Sequence, residues 1–201
     1  MYQKTDQILK ILKTNQSRIF SRYKALIKPD FDSLNVINRS KEMYSLLEES
    51  NENAFLEMAK KTYREINPQG EVPINAGWLL ALLVGYDVIT KYVYKHEIER
   101  KRARFAEALI ATHKKQQEFT TASNLLWKQT AQYAITVTDE ALMQAYIDTG
   151  VKKVRWVTEK DSRVCPVCRA RSNKIYPIKL APKKTHYNCR CYYEAVREGD
   201  E

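Results

Sequence analysis

The stretch CPVCRARSNKIYPIKLAPKKTHYNCRC, Cys165 to Cys191, holds all four cysteines of a 201-residue chain and one of its three histidines. Cys165 and Cys168 form a C-x2-C knuckle, which aims two sulfurs at one ion, and Pro166 fixes a backbone angle inside it. About twenty residues later H-x2-C-x-C supplies His186, Cys189 and Cys191, close to the spacing of zinc sites built from two cysteine pairs. Five soft donors therefore compete for the four positions of a tetrahedral site. Cys165, Cys168 and Cys189 are the firm candidates. His186 is the preferred fourth ligand because H-x2-C repeats the knuckle spacing. Cys191, two residues from Cys189 and on the same face if the segment is a strand, is the reserve.

This donor set points to a structural zinc. A catalytic zinc keeps a position open for water and has a carboxylate base nearby, whereas this cluster has ligands to spare. The H-x-E of a zinc deaminase is missing from HEIE at His96 and from HKKQ at His113, and Pro166 lies inside the cysteine pair instead of before it. A metal-dependent nuclease, the remote alternative, would have to recruit Glu159 or Asp161. Disulfides are the other alternative, but the opening residues MYQKTDQILKILKTNQSR lack a continuous apolar export signal, which favours thiolates in a reducing compartment.

Outward from the cysteines the composition changes. Residues 151–201 carry 13 Lys/Arg against 6 Asp/Glu, and residues 1–150 carry 21 against 18. The alternating stretch VKKVRWVT (151–158), KIYPIKL and CYYEAV predict three short strands around the cysteines. A segment of this size buries too little surface to fold reliably alone, and a metal supplies the missing stabilisation. Lys152, Lys153, Arg155, Arg163, Arg169, Arg171, Lys183, Lys184 and Arg190 are candidate contacts to nucleic acid or to an acidic partner.

Residues 1–150 read as helix. Apolar spacing predicts helices at 2–14, 17–27, 38–66, 76–94, a long one at 95–134, and another at 139–149, with breaks at Pro29 and at NPQGEVP, residues 67–73. Thr138 is expected to cap the last helix at its start and Gly150 to end it. Ile98, Phe105, Phe119, Leu126 and Tyr133 share one seven-residue repeat in which Thr112 is the polar member, a seam for a partner helix in this chain or in a neighbouring subunit. The run ERKRAR (99–104) reads as a solvated face. The apolar run Trp78 to Ile89 is too short for a membrane span and contains Asp87, so it reads as a core helix. The expected fold is mainly α: an elongated helical body over 1–150, with a break near 67–73, followed by a small, basic, zinc-stapled α+β module over 151–201.

The run WVTEKDSRVCPVC, followed by Tyr176, Pro182 and HYNCRC, resembles the C-terminal signature of the phage Mu F-like minor head proteins, also called the SPP1-type head morphogenesis family. The telling positions are Trp156, Thr158, Asp161, Arg163, Val164, Cys165, Pro166 and Cys168. The likeness covers Val151 to Val196, and YKHEIERKRARFAEAL (94–109) is similar to the basic helix that often precedes the signature. Residues 1–75 carry no assignable motif. Asn173 stands where the family commonly has glycine, Tyr187 where it has proline, and Lys183 and Lys184 at positions often taken by proline. The resemblance implies a non-enzymatic structural protein of a tailed-phage virion. It would associate with the portal oligomer during head assembly in the host cytoplasm, near major capsid protein and packaged DNA, and would serve packaging, retention or delivery. Neither a membrane nor a small-molecule substrate is expected. A zinc-stapled nucleic-acid binding module is the competing reading.

Overall fold

The computed structural model describes residues 2–27, 33–84, 94–111, 115–159, 162–184, 186, 189–197 and 199. Pro29, Asp87, Thr112, Asp161 and Tyr187 lie outside these residues, as does the second half of the 78–89 run. In chain order the elements are α1 (Tyr2–Ile27), α2 (Ser33–Ile66), α3 (Ala76–Val84), α4 (Tyr94–Ala111), α5 (Lys115–Asp148), β1 (Lys153–Val157), α6 (Pro166–Arg171), β2 (Ile175–Pro177), a 3-10 turn at Ile178–Leu180, and β3 (Tyr192–Val196). The fold is mainly helical with one small sheet, as the sequence predicts.

Four helices form an up-down-up-down bundle, and the direction of each follows from who meets whom. Phe105 meets Phe119 and Tyr94 meets Tyr133 edge-on, at 5.1 and 5.0 Å between ring centroids, so α4 and α5 run antiparallel. Phe20 meets Phe119 and Lys13 lies over Trp127, so α1 also opposes α5. Asn51 reaches Thr130, Thr138 reaches Met58, and Tyr63 donates to Asp148, so α2 runs alongside α5 in the same direction. Phe20, Tyr44, Phe105 and Phe119, one from each helix, meet edge-on or tilted at the centre. Such contacts add to the free energy of burying these large side chains.

The helices form because each repeats apolar residues every three or four positions. On α2 the buried row is Val36, Ser40, Met43, Leu47, Asn51, Phe55, Met58 and Tyr63. Its two polar members do not break the row. Asn51 Nδ2 donates to the Tyr94 hydroxyl at 2.8 Å, with both residues almost wholly buried. Asn51→Leu fills the same space but strands that hydroxyl. We expect it to lower stability by about 1–3 kcal/mol in a denaturant titration, and Tyr94→Phe in the same chain to recover part of the loss.

Three helix expectations are corrected. The interruption at 14–17 does not break α1, which runs through it. The long 95–134 helix is two antiparallel helices, α4 and α5. A seven-residue repeat continues across a reversal as readily as along one helix, because each arm of a hairpin presents its own apolar face to the bundle. Ile98, Phe105, Phe119, Leu126 and Tyr133 are all in the bundle core, so the seam meets helices of the same chain. Within α4, Arg100 pairs with the buried Glu97 and Arg102 with the exposed Glu99. Finally, Thr138 caps nothing: α5 passes through it to Asp148, and its hydroxyl donates to the Ala134 carbonyl at 2.8 Å.

The second half of α5 faces two cores. Ala134, Ala141 and Ala145 belong to the bundle core, and their small side chains let α2 approach. Leu142 and Tyr146, one position further round the helix, belong to a second core with Val154, Trp156, Tyr193 and the buried cysteines. Gly150 (φ 81°) ends the helix as expected, with its N–H bonded to the Ile147 carbonyl and that of Val151 to the Tyr146 carbonyl. This is a Schellman ending, which needs a residue that tolerates the left-handed region. The three strands follow in the antiparallel order β2-β1-β3, with Val154 and Trp156 turned inward and fully buried.

Candidate metal centre

The cysteine knuckle is built by a helix start. Cys165 is the N-cap of α6, Pro166 opens the helix, and Cys165 Sγ accepts the Cys168 N–H at 3.3 Å. Pro suits this first position because its missing N–H would have no partner there anyway. The helix ends at once, and the chain turns back through Asn173, whose φ of 59° is one that asparagine or glycine tolerates. That accounts for the exchange of glycine for asparagine noted at this position. From there β2 returns along β1, and the segment before β3 brings in the remaining donors.

The other four candidate donors all lie close to Cys168. Cys165 Sγ lies 3.3 Å and Cys168 Sγ 3.6 Å from His186 Nε2, and Cys168 Sγ lies 3.6 Å from Cys189 Sγ. Two triads close enough to hold an ion result, Cys165–Cys168–His186 and Cys168–Cys189–Cys191, and Cys168 belongs to both. Two thiolates on one tetrahedral zinc, each about 2.3 Å from it, are separated by ~3.8 Å, and a thiolate and an imidazole by slightly less. The three spacings fit that geometry within each triad, and no four of the donors come within such distances of one another among the described residues. All four cysteines are free, and 3.6 Å is far beyond a disulfide bond of about 2.05 Å.

Burial, then the neighbouring thiols, push the Cys168 thiol far up. Burial raises Cys189 to about 11. The Cys168 backbone N–H draws Cys165 down. Raised by burial, Cys168 and Cys189 are neutral thiols in the metal-free chain, and a soft divalent cation bound there would displace their protons. No carboxylate joins either triad among the described residues, and Glu159 is exposed.

The centre is held from behind by groups whose partners sequence reading did not supply. Trp156 packs edge-on against Tyr193 at 5.3 Å with the Arg171 guanidinium over its ring at 5.2 Å. On the bundle side, Lys184 Nζ lies 2.7 Å from Asp139 Oδ1 and Lys183 Nζ lies 3.0 Å from Glu140 Oε1. Burial pushes the Asp139 carboxyl up to about 6 even though Lys184 pulls it down. The signal for this contact is an acidic pair, Asp139–Glu140, in the middle of a helix, read instead as a helix start.

The basic candidates are thus divided. Lys184 is buried on Asp139. Lys183 pairs with Glu140 and Arg155 with Glu194, while Arg171 donates to the Lys183 carbonyl and Arg169 to that of Val164. Lys152, Lys153 and Arg163 are exposed, and Arg190 is half-buried. No helix among the described residues is long and apolar enough to cross a membrane.

The family model described as Phage Mu protein F like protein matches residues 87–194, more than half of the chain. It takes in α4, α5 and the cysteine centre together, well upstream of the 151–196 signature. No curated protein and no solved structure matches the chain. With the helical hairpin, the cysteine knuckle and the returning H-x2-C-x-C all inside the matched span, the chain belongs to the phage Mu F-like family of head morphogenesis proteins.

Proposed function

We propose that this chain is a structural minor head protein of a tailed phage that docks on the portal oligomer during head assembly, with residues 151–201 as a rigid end-piece stapled by zinc. Family membership is the observation that carries this reading. The geometry supports it in two ways. The five donors form two triads that share Cys168, a surplus of soft ligands of the kind that suits structural zinc, and no carboxylate base stands in either triad among the described residues. The bundle meanwhile spends its apolar seam on its own core, so docking falls to its outer surface. In the virion the protein would sit in the head near the portal, beside major capsid protein and packaged DNA.

The nucleic-acid reading draws on the basic balance of residues 151–201, but several of those cations already have acidic or carbonyl partners within the chain. Co-expression with the portal protein of the same phage tests the docking. The chain is expected to sediment with portal rings through a gradient, and rings that form while the chain stays in the monomer fractions overturn the reading.

A further inference from the structure

The segment that delivers His186 is fastened at three consecutive positions. Lys184 Nζ lies 2.7 Å from Asp139 Oδ1, with only 8% and 15% of the two side chains exposed, and 5.6 Å over the Tyr193 ring. Lys183 Nζ holds Glu140 at 3.0 Å. The Tyr193 hydroxyl donates to the Pro182 carbonyl at 2.5 Å. Residues 182–184 are therefore tied to α5 twice and to β3 once. His186 follows two residues later, and two residues of chain span about 7 Å at most. While Lys184 is held, the imidazole stays beside Cys165 and Cys168.

The surplus donor lies on the other side of the cluster. Cys191 is within reach of Cys168 and Cys189, immediately before β3, and belongs to a different stretch of chain from the fastened one. Removing one member of a buried ion pair leaves the other uncompensated, and such a charge moves toward water. A Lys184 deprived of Asp139 would leave the interior and draw His186 with it, so that Cys191 could take the fourth position.

Resting on the metal reading above, we propose that Asp139 and Lys184 are positioning residues for the metal: their ion pair selects His186 over Cys191 as fourth ligand and ties the centre to helix α5. The test is cobalt substitution of the full-length protein, with zinc affinity measured by competition against a chelator. Wild type is expected to give the visible spectrum of three thiolates and one imidazole. In Asp139→Asn the envelope moves to longer wavelength, toward four thiolates, and zinc affinity falls about 10- to 100-fold. The double variant Asp139→Asn with Lys184→Gln removes the tie and leaves neither charge unpaired, and it gives the same comparison if Asp139→Asn does not fold. Variants with the wild-type spectrum and affinity overturn the pair's positioning role alone, even if they melt lower. A wild-type protein that binds neither cobalt nor zinc overturns the metal reading and this proposal with it.

Discussion

Cys168→Ser is expected to strip the protein of metal and to open the second core while the four-helix bundle stays folded. Cys168 is the one donor common to both triads, with Cys189 at 3.6 Å on one side and His186 at 3.6 Å on the other. Four other donors remain without it, but they fall into two separate pairs, Cys165 with His186 and Cys189 with Cys191, and no three of them lie within metal-holding distance of one another among the described residues. His186→Ala still leaves four thiols, and Cys191→Ser still leaves three and the imidazole, so both are expected to retain metal at reduced or near-normal affinity. Metal per chain after purification without chelator gives this ranking directly. The structural consequence is large because the binding free energy of a structural zinc is folding free energy, about 10–16 kcal/mol in small zinc domains. Trp156, fully buried in this core, reports it: its emission is expected to move to longer wavelength while helical circular dichroism persists. A serine variant that keeps full metal content would show that Cys168 is not the hub of the centre.

What the sequence made legible is what short-range spacing encodes. C-x2-C and H-x2-C-x-C place donors on turns whose geometry depends on a few residues, and the structure brings the other four donors to Cys168. Alternation in VKKVRWVT put Val154 and Trp156 on one face, and both are buried in β1. What stayed hidden depends on long-range pairing. Nothing in Asp139–Glu140 alone distinguishes a helix start from a dock for Lys183 and Lys184, more than forty residues away. Likewise Thr138 satisfies its hydroxyl on the Ala134 carbonyl four residues back, which a threonine inside a helix does as readily as it caps one. The family match from residue 87 has a physical counterpart, since α5 lends one face to the bundle and another to the second core, which holds the buried cysteines.

The second large effect concerns the seam, whose five residues meet helices of the same chain, one of the two alternatives that their spacing allowed. A half-apolar repeat invites the experiment of placing charge on it to block a partner, with Phe105→Asp and Leu126→Asp as the natural choices. Phe105 is 4% exposed and in ring contact with Phe20, Tyr44 and Phe119, while Leu126 is fully buried. Truncating such side chains to alanine already costs about 2–5 kcal/mol, and a carboxylate with no partner adds its desolvation. Against a total stability of about 5–15 kcal/mol, either substitution removes most of what holds the bundle together. Both variants are expected to lose helical circular dichroism or to melt far below wild type. Leu180→Asp, at a side chain 74% exposed on the 3-10 turn, is expected to melt with wild type. Loss of portal association in Phe105→Asp would therefore report unfolding and not a broken interface. If Phe105→Asp melts at the wild-type temperature, the ring cluster is not the centre of the bundle, and the seam again becomes a candidate surface for a neighbouring subunit.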